Sequence, residues 1–137
     1  MIEANMRSDF ETGLTPAESQ DLRCVAGFMV PASAEFGVPG ADDATIFADI
    51  VGSLGRDLGD VRKALGGLAE LAGGAFADLD AARREAVALS FRARGGAAAA
   101  TLARVILQCY YRDDRVVRSL GLEPRPPFPK GHTLEQG

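Results

Sequence analysis

The sequence has no tryptophan, one histidine and two cysteines, and aromatic residues of every kind make up only 7% of it. Each scarcity excludes something. Cys24 and Cys109 lie 85 positions apart with no CxxC pair, which excludes a disulfide framework and any all-cysteine zinc or iron–sulfur site within the chain. His132 is the single histidine, in a Pro/Gly-rich tail. A two-histidine metal site is therefore impossible, and a Ser-His-Asp or Cys-His relay would depend on a base that no rigid element is expected to hold. His132 reads instead as a solvated or partner-touching residue. No GxGxxG follows a strand pattern and no GxxxxGK[ST] occurs, so the nucleotide fingerprints are missing as well. Lys and Arg together number 15 against 19 Asp and Glu, a net charge of −4, and without a basic excess to neutralise phosphates a general nucleic-acid binder is not expected. There is no run of 18 apolar residues and no charged-then-apolar start, so neither direct membrane insertion nor a signal peptide is expected.

What remains is enough for one domain of 137 residues, with 47% hydrophobic side chains. The 23 Ala and 16 Gly imply a core of small side chains at close spacing. Charge is uneven: residues 1–79 carry 13 acidic and 5 basic side chains, residues 80–137 carry 6 acidic and 10 basic. Thirteen of the fifteen cations are Arg, whose planar fork suits interfaces and bidentate carboxylate contacts. Solvated helix faces explain the same pattern.

Along the chain, Thr15-Pro16-Ala17-Glu18 forms a capping box with Pro at the first helical position. Leu22, Val25, Ala26 and Met29 then recur at helical spacing, with Asp21 and Arg23 expected to face outward, until Pro31 stops the helix. The loop that follows is expected to order where Phe36 and Val38 pack. Asp42 or Asp43 caps the next apolar seam, which runs from Phe47 to Leu68 and is interrupted by Gly52, Gly55 and Gly59. Each of these glycines costs about 1 kcal/mol against Ala within a helix. The seam reads as two helices, 43–54 and 57–72, broken near Gly55, or as one bent helix.

Asp80 caps a fourth helix through Arg94, with Val87, Leu89 and Phe91 inward. Gly95-Gly96 breaks the chain before a fifth helix, 97–111, whose Leu102, Val105, Ile106 and Cys109 form one face widened by Ala103, Leu107 and Tyr110. A helix so apolar belongs at the centre of the bundle or half-covered by a partner. Asp113 caps a last short helix ended by Gly121. No segment alternates with period two over strand length. The expected fold is all-α: a flexible start (1–13), a compact bundle of five to six helices (14–121) and an extended tail (122–137). That tail holds four Pro between positions 124 and 129, so it reads as polyproline-like chain that either straps its own domain or docks into a groove on another protein.

The opening LTPAESQDLRCVAGFMVP, the run GLAELAGGAFADLDAARREAVALSF and the ending QCYYRDDRVVRSLGLEPRPPFPKG resemble the gluconate 2-dehydrogenase subunit 3 family. The resemblance covers about residues 14 to 131. It is most specific in the helix opening through Pro31, the Phe76-Ala77-Asp78-Leu79 junction, and the tyrosine-then-Gly-Leu-then-Pro-rich ending. These are the small (gamma) subunits of FAD-dependent, GMC-type sugar and alcohol dehydrogenases. The resemblance implies a non-catalytic helical chain that binds and stabilises a larger flavoprotein subunit. The FAD and the base that takes the substrate hydroxyl proton then reside in that partner, and a cytochrome c or another acceptor takes the electrons.

Members of this family often begin with a twin-arginine export signal, and none is found here. The chain is accordingly expected in the cytoplasm, or in the periplasm by co-export with a signal-bearing partner. The expected partner-binding residues are Tyr110, Tyr111 and Arg112 at the end of the fifth helix, and Arg125, Pro126, Pro127, Phe128, Pro129 and His132 in the tail. Tyr110 or Tyr111 alternatively closes the core with its hydroxyl at the surface. Two other classes stay open: a stand-alone helical interaction or regulatory protein forming a homodimer, and a self-sufficient small enzyme, for which the titratable inventory is poor.

Overall fold

The computed structural model describes residues 13–121. Among these residues six α-helices follow one another: α1 (Pro16–Met29), α2 (Ala44–Gly52), α3 (Leu58–Ala72), α4 (Ala81–Arg94), α5 (Ala97–Tyr111) and α6 (Asp114–Ser119). Two single 3-10 turns, Gly55–Asp57 and Phe76–Asp78, lie before α3 and before α4. Among the described residues there is no strand, only a bridge between Ser33 and Val38. The all-α bundle is thus the observed fold, and the break near Gly55 divides α2 from α3.

The helix starts follow local chemistry. Thr15 Oγ1 accepts from the Glu18 N–H at 3.1 Å while Glu18 Oε1 accepts from the Thr15 N–H at 2.9 Å, satisfying two orphan donors reciprocally. Asp43 caps α2 by accepting from Thr45 and Ile46. Asp80 caps α4 through the Arg83 N–H, and Asp113 caps α6 through the N–H groups of Arg115 and Val116.

The core is a single cluster in which α3 contributes Val61, Ala64, Leu65, Leu68 and Ala72, and α5 contributes Leu102, Val105, Ile106, Cys109 and Tyr110. The centre is therefore shared. α3 packs against α1, α4 and α5, whereas α5 leaves Leu107 on the surface. α1 closes one side through Leu22, Val25 and Ala26. Gly27 and Gly40 permit this closure. A Cβ on Gly27 would meet the Asp42 carboxylate at 2.7 Å, and one on Gly40 would meet the Ala32 backbone nitrogen at 2.7 Å.

Four orientations differ from the sequence expectation. Asp21 is 5% exposed, not outward: its Oδ1 accepts from the Ala77 N–H at 3.0 Å and its Oδ2 from the Phe76 N–H at 3.3 Å. It supplies the N-terminal acceptor that the 3-10 turn lacks, and so fastens α1 to the fully buried Phe76. Met29 and Leu89 face solvent although the helical period places them inward, because no described element covers that side of α1 and α4. Phe36 is 69% exposed at the tip of the Ser33–Val38 loop, which is ordered by backbone pairing and by the Ser33 hydroxyl rather than by burial.

Candidate functional site

Two surfaces of the bundle carry apolar side chains that the domain itself does not cover. The first is a groove of about 810 Å³. Its walls are α4 and α5, which both pack on α3 while touching each other little, and its far edge is the end of α1. The wedge between α4 and α5 originates in Gly95-Gly96. Gly95 has φ 66° and ψ −149°, and Gly96 has φ 104° and ψ 163°, conformations that side-chain-bearing residues rarely adopt. Beyond this break the two helices make little contact with each other. Leu68, Val25 and Leu102 form the floor, and the exposed Phe28, Met29, Leu89 and Leu107 stand around the rim. Of the described residues of α4, none is buried; Val87 and Phe91 lean half-buried on the core while Leu89 is 57% exposed. Only Glu85 and Arg92 bring charge to the lining.

The second surface lies where α5 ends. Tyr110 is buried, and its hydroxyl donates to the Pro39 carbonyl at 3.0 Å, fixing the loop before α2 against α5. Burial pushes its phenol above the ordinary tyrosine range. Tyr111 is 55% exposed and meets the Tyr110 ring edge to face at 5.2 Å. Arg112 turns back toward α2. Its Nε donates to Asp49 Oδ2 at 2.8 Å, and its Nη2 to Asp49 Oδ1 at 2.6 Å and to Ser53 Oγ at 2.7 Å. These bonds hold the Asp49 carboxyl below its usual range. One helical turn away, Arg115 clasps both N-capping carboxylates, Asp43 at 2.8 Å and Asp113 at 3.0 Å. The Arg115 bonds dominate in drawing Asp43 down to about 2.

The three expected contact residues of α5 are thus brought together in space with different tasks. Tyr110 braces the core, as the alternative reading for one tyrosine had it, Arg112 fastens α5 to α2, and Tyr111 is the one presented to solvent. Arg125, Pro126, Pro127, Phe128, Pro129 and His132 lie outside the described residues. Sequence reasoning missed the groove as a site. Its signal was present in Leu89, an apolar residue on a helix with four arginines (Arg83, Arg84, Arg92, Arg94), next to a diglycine break. Set against known proteins, the chain matches no family model, no curated protein and no solved structure.

Proposed function

We propose that this chain is the small, non-catalytic subunit of an FAD-dependent alcohol or sugar dehydrogenase, binding and stabilising a larger GMC-type flavoprotein. The observation that carries the reading is the presentation of Tyr111. An exposed aromatic ring packs edge to face on a buried neighbour, beside an arginine bonded to Asp49 and Ser53, thirteen residues before the first proline of the tail. Exposed aromatic side chains and arginines supply a large share of the energy at protein interfaces. The resemblance of residues 14 to 131 to the subunit 3 family supplies the identity of the partner. In this reading the flavin and the proton-accepting base belong to the large subunit, a cytochrome c or another acceptor receives the electrons, and Arg125, Phe128 and His132 extend the contact.

The test is co-expression with a GMC-type flavoprotein encoded beside this chain. The two should co-purify, and the chain alone should be colourless and inactive. Tyr111→Ala should weaken co-purification while leaving the isolated chain's unfolding within about 0.5 kcal/mol of wild type. Phe128→Ala should weaken it too, since burying one Phe is worth about 1.5–3 kcal/mol. A flavoprotein that folds, binds FAD and turns over equally well without this chain overturns the reading.

A further inference from the structure

We propose that the groove between α4 and α5 receives a second copy of this chain, with the two α4 helices antiparallel across a two-fold axis that passes between Ala88 and Leu89. This inference does not rest on the flavoprotein reading, because the α4 face carries it alone. Glu85, Ala88, Leu89 and Arg92 lie three or four residues apart around α4 and line the groove, as do Gly95 and Gly96 just past its end. The four helical residues form one stripe that faces the groove.

The charges on this stripe select the occupant. Glu85 and Arg92 are seven residues apart, about 10.5 Å along the helix axis, too far to pair with each other. Neither belongs to an ion pair among the described residues. They stand at equal distances on either side of the midpoint between Ala88 and Leu89. A two-fold axis through that midpoint therefore sets Glu85 against Arg92 of the second copy, and Arg92 against its Glu85. One symmetry operation yields two opposite-charge contacts, the self-complementarity that an isologous interface requires.

Steric features agree with this pairing. Ala88 lies at the axis and Gly95, Gly96, Ala99 and Ala103 line the wall beyond it, so two backbones can approach closely. Leu89 of each copy then enters the wedge of the other, against Phe28, Met29 and Leu107, the large apolar side chains exposed at the rim. The pairing covers the one long helix that has no buried residue among those described.

Sedimentation velocity on the full chain over a wide concentration range tests the proposal. A reversible monomer–dimer equilibrium is expected. Glu85→Arg and Arg92→Glu should each weaken the dimer roughly tenfold or more by setting like charges together. The double variant carrying both should return to within about threefold of wild type, because the pairing is restored with its signs exchanged. Leu89→Asp should leave only monomer. All three positions are exposed, so the variants should keep the wild-type circular dichroism spectrum.

A chain that stays monomeric at every concentration overturns the proposal. So does a dimer indifferent to Leu89→Asp, or one whose charge-reversed double variant fails to recover. A monomer that loses its flavoprotein on Leu89→Asp assigns the groove to that partner, which sinks this inference and leaves the proposed function standing. A dimer strengthened by Phe128→Ala assigns the groove to the chain's own tail and also overturns it.

Discussion

Helices α3 and α4 have 15 and 14 residues and pack against each other, yet α3 buries five side chains while α4 buries none of its described residues. Both composition and surroundings contribute: α4 carries four Arg and three large apolar residues, whereas α3 carries four Leu and a Val. α3 is met by α1, α4 and α5, so its apolar stripe is covered on every side that it faces. α4 packs mainly on α3, and across the Gly95-Gly96 break it touches α5 little. Packing therefore makes α3 part of the core and leaves α4 as a surface element with Leu89 exposed.

The sharpest way to break this comparison is to truncate one side chain on each helix. Leu65→Ala, at a buried position of α3, should cost about 2–5 kcal/mol in urea unfolding. Leu89→Ala, measured in dilute solution, should stay within about 0.5 kcal/mol of wild type. Equal losses would mean that α4 is as deeply integrated as α3.

Next in size is the fastening between α1 and the turn that leads into α4. Asp21→Ala leaves two backbone donors, Phe76 N–H and Ala77 N–H, without their acceptor. The expected cost is about 1.5–3 kcal/mol, as for hydrogen bonds to a charged group. Asp21→Asn keeps one carbonyl oxygen and should lose less. A neutral Asp21→Ala would show that the turn finds other partners.

Gly95→Ala tests the hinge itself. With φ at 66° and ψ at −149°, a Cβ there is strained, and a loss of about 1–3 kcal/mol is expected. The variant should also change how far α4 and α5 diverge, read as a change in fluorescence-dye accessibility of the groove. An unchanged stability would show that the helices can leave the break by another path.

The smallest effect is electrostatic and belongs to the closed side of the molecule. Arg115 bonds Asp43 at 2.8 Å and draws its carboxyl from the ordinary value down to about 2. A carboxylate with a lowered folded-state pKa adds stability that is complete above its unfolded value, about 3.9. That stability is lost as pH falls through the folded value. Acid should therefore loosen the junction of α2 and α6 between about pH 4 and pH 2. Arg115→Ala should move the Asp43 titration, followed by NMR, up toward ordinary carboxylates. An unmoved titration would assign the shift to the Thr45 and Ile46 N–H groups instead.

The contrast between α3 and α4 also explains what could be read in the sequence. The caps at Thr15, Asp80 and Asp113, the boundaries of α5 and the break near Gly55 were all legible, because each depends on residues within a turn or two. The burial of Asp21 was not legible, since its two donors lie 55 and 56 residues away and a carboxylate on a helix ordinarily faces water. Met29 and Leu89 were placed inward for a related reason. A helical period tells which side chains share a face, but not whether another element arrives to cover that face. The tasks of the residues that end α5 were legible only in part. Tyr111 is exposed, whereas Tyr110 and Arg112, of matching type and position, also bond within the domain, to Pro39 and Asp49.

Cys109 gives the closed side a reporter of its own. The thiol is buried on α5 beside Arg112 and near Ser53 and Asp49, and burial is the main cause that raises its pKa. Alkylating reagents attack the thiolate and need access, so the folded molecule withholds both requirements at once. Cys24 on α1 is half-buried and likewise raised, chiefly by burial. The chain thus carries two native chemical clocks, one at the seam of α5 with α2 and one on α1. Their labelling rates report how often each region breathes without any introduced probe.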